Sequence, residues 1–253
     1  MKSVRVIPTL LLKDGGLVKT KKFNSPVYIG DPTNAVRIFN EKEVDELILI
    51  DIEATSQKNE PDYQLIERIV SESFMPVCYG GGIKTVDQAR QLFRLGVDKI
   101  ALNSAAAENP SLIGKLAAQF GSQAVVVSID YKKNLWGKVK VFTQNGTKNT
   151  GLDPINYARE LDSLGVGEIY LTSIDREGTM SGYDIEMLKA VSQSVSIPVI
   201  ANGGAGTLEH FGEAIQAGAS AVSAGSMFVF HGRLKGILIN YPEKKALNKI
   251  FGI

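Results

Sequence analysis

Pro76-Val77-Cys78-Tyr79-Gly80-Gly81-Gly82 and Pro198-Val199-Ile200-Ala201-Asn202-Gly203-Gly204 are the stretches on which the fold turns. Each is a short apolar run that ends in glycines, and the second begins 122 positions after the first. At the same offset Thr85 matches Thr207, Gly96 matches Gly218, Ser104 matches Ser226 and Glu46 matches Glu168. One unit of four strand–helix pairs used twice is the pattern of a doubled half-barrel.

Outward from these runs, short strand-like segments alternate with longer ones of helical period, as in parallel βαβ units. Strands are predicted near Val4–Leu12, Glu46–Asp51, Pro76–Tyr79, Lys99–Leu102, Ala124–Asp130, Glu168–Thr172, Pro198–Ala201 and Ala221–Ala224. Helices are predicted between them, near Tyr63–Glu72, Val86–Leu95, Ser111–Gln119, Pro154–Leu164, Asp184–Gln193 and Leu208–Ala217. Thr85, Asn109-Pro110 and Asp153-Pro154 supply helix starts. Eight strands within 253 residues predict one α/β domain over 1–253, a (β/α)8 TIM barrel with an internal half-barrel repeat. One extra element is expected, a hairpin over about 131–149 with an Asn145-Gly146 turn, either covering the catalytic face or decorative.

Composition narrows the function. A formal net charge of +1 gives no global attraction to nucleic acid or anionic membrane, so any anion site is local. No stretch is apolar and long enough to span a bilayer, and no signal peptide is read at the start. Cys78 is the only cysteine, which fits a reducing, cytoplasmic setting. His210 and His231 are too few for an ordinary zinc site, and neither metal nor cofactor is expected.

In a barrel of this kind the strand C-termini build the site. Gly81-Gly82, Asn103-Ser104, Gly203-Gly204 and Gly225-Ser226 follow the third, fourth, seventh and eighth strands. Small residues there let backbone N–H groups approach phosphate. Two such pairs at matching positions point to a ligand with a phosphate at each end. Asp130 and Asp51 end the fifth and second strands. Each reads either as a general acid–base or as a carboxylate tied to loop N–H groups. Lys19 reads as a phosphate partner or a solvated loop lysine. At the opposite end, Arg5, Glu46, Lys99 and Glu168 start four strands, two of each sign. Such charges are almost never buried unpaired, so a mutually paired ring is expected, as a seal or a gated passage.

These residues, with Arg5-Val6-Ile7-Pro8, Gly80-Gly81-Gly82-Ile83, Leu171-Thr172-Ser173-Ile174-Asp175-Arg176 and Ser181-Gly182-Tyr183-Asp184, resemble the cyclase subunit of imidazole glycerol phosphate synthase over nearly the whole chain. The resemblance implies that ammonia from a partner glutaminase crosses the barrel. It then meets a bisphosphorylated ribulosyl substrate, giving an imidazole and an aminoimidazole carboxamide ribotide. It carries a catalytic role to Asp130, and substrate or phosphate contacts to Lys19, Asp51, Gly81, Gly82, Asn103, Ser104, Thr172, Glu177, Gly178, Gly203, Gly204, Gly225 and Ser226. It makes Arg5, Glu46, Lys99 and Glu168 an ammonia gate, and puts Asp98 at the glutaminase interface on the N-terminal face.

The family's first catalytic aspartate falls at Leu11. A leucine transfers no proton, so half of the acid–base pair is missing. Glu177 and Thr20 stand where the family usually has aspartate and glycine. The segment Gly225-Ser226-Met227-Phe228-Val229-Phe230-His231-Gly232, followed by Leu238-Ile239-Asn240-Tyr241-Pro242, is similar to a branch associated with surface-polysaccharide genes. That likeness implies a sugar amidotransferase as a further partner and an amidino-sugar as product. An authentic cyclase with another recruited acid, and a non-catalytic phosphate-binding scaffold, are the two other readings.

Overall fold

In a computed structural model describing residues 4–134, 136–232, 234 and 236–252, the chain forms a closed barrel. The first half comprises β1 (Arg5–Lys13), β2 (Gly16–Lys21), β3 (Asn24–Gly30), α1 (Pro32–Glu41), β4 (Leu47–Asp51), α2 (Tyr63–Ser71), β5 (Val77–Gly80), α3 (Val86–Arg94), β6 (Lys99–Leu102), α4 (Ser104–Glu108) and α5 (Ser111–Phe120). The second comprises β7 (Val125–Lys133), β8 (Val139–Thr143), β9 (Lys148–Asn149), α6 (Pro154–Ser163), β10 (Glu168–Ser173), α7 (Ile185–Ser192), β11 (Val199–Asn202), α8 (Leu208–Gln216), β12 (Ala221–Ala224), α9 (Ser226–Val229), β13 (Phe230–His231), β14 (Gly236–Ile237) and α10 (Lys244–Phe251).

The order β1-β4-β5-β6-β7-β10-β11-β12 closes through β12–β1, and every one of these pairings is parallel. Strands covered on both faces are buried along their full length, as in β5 and β10, and the apolar residues of β10 are joined by buried Glu168, Thr172 and Ser173 at its two ends. Outward side chains pack under the helices. Inward ones form a separate cluster of Ile7, Ile48, Cys78, Ala101, Val126, Tyr170, Ile200 and Ala221. The barrel axis is therefore filled rather than open. Above that layer the hydroxyls of Thr9, Tyr170 and Ser223 bond to one another, with 2.6 Å from Thr9 Oγ1 to each of the other two.

Helix starts follow local chemistry. Asp31 and Asp153 cap α1 and α6 from just before a proline, and Thr85 closes a capping box with Gln88. The sequence reading placed its single extra element after the fifth strand. Among the described residues antiparallel strands are added in three places, β8 and β9 beside β7, β2 and β3 beside β1, and the short pair β13–β14. The first follows the fifth barrel strand, where β7 pairs β8 and β8 pairs β9 across 144–147, with Leu135 outside the described residues. The second follows the first strand, where β1 pairs β2 and β2 pairs β3. Asp14-Gly15, both in the left-handed region (φ 50° and 74°), make the turn from β1 to β2 and match the right-handed twist of those strands, and Lys22-Phe23 (φ 55° and 61°) make the turn from β2 to β3.

Candidate active site

The barrel floor carries the charged residues. Arg5 leads β1, Glu46 precedes β4, Lys99 leads β6 and Glu168 leads β10, so period-two alternation turns all four inward. Lys99 Nζ lies 3.0 Å from Glu46 Oε2 and 2.9 Å from Glu168 Oε2. The Arg5 guanidinium bridges the same two carboxylates. Two cations and two anions thus share one closed ring, in which Glu46 is 2% and Glu168 8% exposed. Burial alone would lower the pKa of Arg5 and Lys99, but the paired carboxylates more than offset it, leaving both raised. Asp98, just outside the ring, is exposed and accepts from Val77 N–H at 2.8 Å.

The opposite end holds a pocket enclosing about 1110 Å³ of space open to solvent. Leu11 lines it, two residues above inward-facing Thr9 on β1. Around it stand Lys19, Asp51, Gly81, Gly82, Asn103, Ser104, Asp130, Thr172, Glu177 and Gly225. Gly178, Gly203, Gly204 and Ser226, also expected in the site, do not line this pocket. Ser226 Oγ is nevertheless buried without a hydrogen-bond partner among the described residues.

Asp130 sits near the end of the barrel portion of β7. Its carboxylate accepts from Ser128 Oγ at 2.7 Å and Asn103 Nδ2 at 3.3 Å. Burial pushes its pKa up to about 6, against the pull of the Ser128 and Thr172 hydroxyls. A carboxylate so placed exchanges protons near neutrality. Asp51 is tied to loop N–H groups and also faces the pocket, accepting from the N–H groups of Glu53 and Ala54 at 2.9 and 3.0 Å. Burial raises its pKa against those two bonds. Gly81, at φ +127°, lets the next loop lie against Asp51, since a Cβ there would come within 2.6 Å of the Asp51 carbonyl.

Lys19 is no solvated loop lysine. It lies on β2, is 2% exposed, and its ammonium donates to the Thr9 carbonyl. It fits because Gly225 has no Cβ where the ammonium sits. Burial lowers its pKa to about 8, against the attraction of Glu177. Glu177 is 8% exposed and accepts from Thr20 Oγ1 at 3.1 Å. Its pKa is raised, burial outweighing Lys19 and the Thr20 bond.

Several lining groups were missed from sequence. Ser128 and Asn202 face inward by the same alternation as Asp130 and Thr172, a signal available in the strands themselves. Tyr170 and Thr9 read as ordinary strand formers. Gln144 and Asn145 come from the turn of the β8–β9 hairpin. Gln144 N–H donates to Ser104 Oγ at 3.1 Å and Asn145 bonds the Ile52 carbonyl, which folds the hairpin over the pocket.

Comparison with known proteins agrees with this geometry. A family model described as histidine biosynthesis protein matches residues 5–235. A Pseudomonas aeruginosa protein provisionally named imidazole glycerol phosphate synthase subunit hisF2 is 52% identical over 245 residues, 96% of this chain and 98% of the relative. A Vibrio vulnificus protein, provisionally named as that synthase's subunit hisF3, is 50% identical, covering 96% of each chain. The imidazole glycerol phosphate synthase subunit HisF of Endomicrobium trichonymphae is 45% identical, over 90% of this chain and 88% of its own. The closed parallel barrel, the family match and these identities place the chain in the histidine biosynthesis protein family, among the HisF-like barrels.

Proposed function

We propose that the chain is the synthase-barrel subunit of a glutamine amidotransferase. It receives ammonia from a glutaminase docked at the N-terminal face, around Asp98, and channels it through the barrel toward amidation of a surface-polysaccharide sugar. The observation that carries this reading is Leu11, a hydrocarbon side chain lining the pocket where the family has an acid, above a charged floor that is complete.

The physical case is one of transport and capture. Above the ring the interior is Ile, Val, Ala, Cys and the ring of Tyr170, and an isolated cation is strongly disfavoured in such a layer, whereas neutral ammonia is not. At the top, Lys19 and the turns at Gly81-Gly82 and Asn103-Ser104 hold phosphate, and Gly225 leaves room for the lysine. The unpartnered Ser226 Oγ is a donor for a second phosphate beside the pocket. Asp130, with its pKa near 6, accepts or returns one proton during attack on the ligand. General acid–base help from a second group is worth about 10²–10⁴-fold, and its loss at position 11 leaves imidazole formation slow. The relatives named hisF2 and hisF3 carry copy numbers, which fits barrels working beside a histidine-pathway one.

A second reading, an authentic cyclase, draws on Glu177, a buried carboxylate in the same pocket able to stand in for the missing acid. Affinity purification from the native cell separates the two. The first reading expects a glutaminase and a sugar-modifying enzyme by mass spectrometry. Recovery with a glutaminase alone, together with ordinary turnover of the histidine-pathway substrate, overturns it.

A further inference from the structure

We infer that the floor opens on its β5 side, between Glu46 and Lys99, and that Cys78 is a covalent-modification point whose occupation shuts the passage. This rests on the ammonia reading above and adds where the molecule crosses and what can block it.

The ring is not symmetric. Both oxygens of Glu168 are engaged, Oε1 by Arg5 and Oε2 by Lys99. Glu46 receives both of its cations on Oε2 alone. Its Oε1 is buried with no hydrogen-bond partner among the described residues. A buried acceptor left unmade costs about 1–3 kcal/mol, more when charged, so the folded ring keeps one unspent acceptor. Ammonia, with three N–H bonds and one lone pair, fits there. It can donate to Glu46 Oε1 while accepting from Lys99.

The strand beside this acceptor is the thin place in the wall. β5 lies between the strands that carry Glu46 and Lys99 and contributes no charge to the ring. Its inward residue at this height is Cys78, level in register with Ile48 on one side and Lys99 on the other. In the same cluster Val126, Tyr170, Ile200, Ile7 and Ile48 are bulky while Cys78, Ala101 and Ala221 are small, and of these three Cys78 is the one on the strand between those of Glu46 and Lys99. Cys78 is fully buried, and burial with the Glu46 charge holds its thiol well above the ordinary range. It is therefore unreactive unless a reagent is admitted through the floor.

Cys78 is the only cysteine, so mass gain on the intact protein reports this one site. Methyl methanethiosulfonate is the small probe. The Cys78 sulfur attacks its sulfenyl sulfur, an S–S bond forms, methanesulfinate leaves with the electron pair, and the thiol proton passes to solvent. Dithiobis(nitrobenzoate) is the bulky probe. Relative to its own chemical reactivity on a free thiol, the small probe is expected to label the native barrel at least ten-fold faster than the bulky one. Lys99→Ala is expected to accelerate the small probe a further ten-fold and leave the bulky one unchanged. Equal normalised rates for both probes, in wild type and in Lys99→Ala alike, mean access by global unfolding and overturn the proposal. Val126→Cys in a Cys78→Ser background places a thiol beside the Lys99–Glu168 side. Labelling there as fast as at Cys78 overturns the choice of side.

The last arm concerns blockage, in the assembly recovered from the native cell. Methylthiolated barrel should lose at least ten-fold of glutamine-driven product formation while ammonium-driven formation persists, and the reagent should not change Cys78→Ser. Undiminished glutamine-driven formation overturns the blockage and counts against the ammonia reading, even where the labelling rates hold.

Discussion

Replacing Asp130 with asparagine is expected to make the protein more stable at neutral pH. The carboxyl is raised from 3.8 to about 6 in the folded state by burial. The folded protein therefore holds this proton more tightly than the unfolded chain does. Ionisation costs nothing below pH 4, costs progressively more between pH 4 and 6, and costs the full amount above. A displacement of about two pH units corresponds to roughly 3 kcal/mol as an upper bound. Asparagine has no proton to lose and can still accept from Ser128 Oγ, which stands 2.7 Å away. Part of the gain is given back through the altered contact with Asn103. The net expectation is about 1–3 kcal/mol at pH 7.5, with Tm rising by roughly 2–4 °C per kcal/mol for a chain of this size. Thermal melts of both proteins between pH 4.5 and 8 measure it. The difference should grow with pH and level off above 7. A difference that is flat across this range, or a variant less stable at pH 8, refutes the assignment of strain to a buried carboxylate. The prediction also carries a functional message, because a residue kept at a cost to folding is a residue kept for chemistry.

Three further outcomes follow from the same geometry. Glu46→Gln leaves Arg5 and Lys99 facing one carboxylate where they had two, and breaking a buried ion network of this kind should cost about 3–5 kcal/mol in urea unfolding. Gly225→Ala puts a Cβ where the Lys19 ammonium sits; displacing that buried group should cost about 1–3 kcal/mol and weaken pyrophosphate binding by calorimetry. Because the pKa of Lys19 is lowered to about 8, pyrophosphate affinity should fall as pH rises from 7 to 9, and Lys19→Met should flatten that dependence.

Much of this architecture was legible in the residues. Strands at Lys99–Leu102 and Ala221–Ala224 have the predicted bounds, because an apolar run ending in Asn-Ser or Gly-Ser leaves little freedom. The four floor charges were found because each interrupts the start of an apolar run, where only mutual pairing makes burial tolerable. Helix α1 was passed over although Asp31-Pro32 carries the same start signal as Asp153-Pro154. The β1–β2 hairpin was passed over although Asp14-Gly15 is a turn pair, and that cost the burial of Lys19. Other parts are set by tertiary placement and leave no local trace. The mutual bonding of Thr9, Tyr170 and Ser223 joins strands far apart in sequence, and hydroxyl residues in strands are otherwise unremarkable. The free oxygen of Glu46 depends on which way two cations lean.

The central claim is that Leu11, lining the pocket, has removed half of the family's proton-transfer pair. The most direct measurement is the rate at which the purified barrel, given ammonium salt, converts the phosphoribulosyl formimino carboxamide ribotide of the histidine pathway, in wild type and Leu11→Asp side by side. Wild type is expected to turn over barely above background, with Leu11→Asp faster by on the order of 10². Ordinary turnover by wild type, unchanged by Leu11→Asp and abolished by Glu177→Gln, would contradict it.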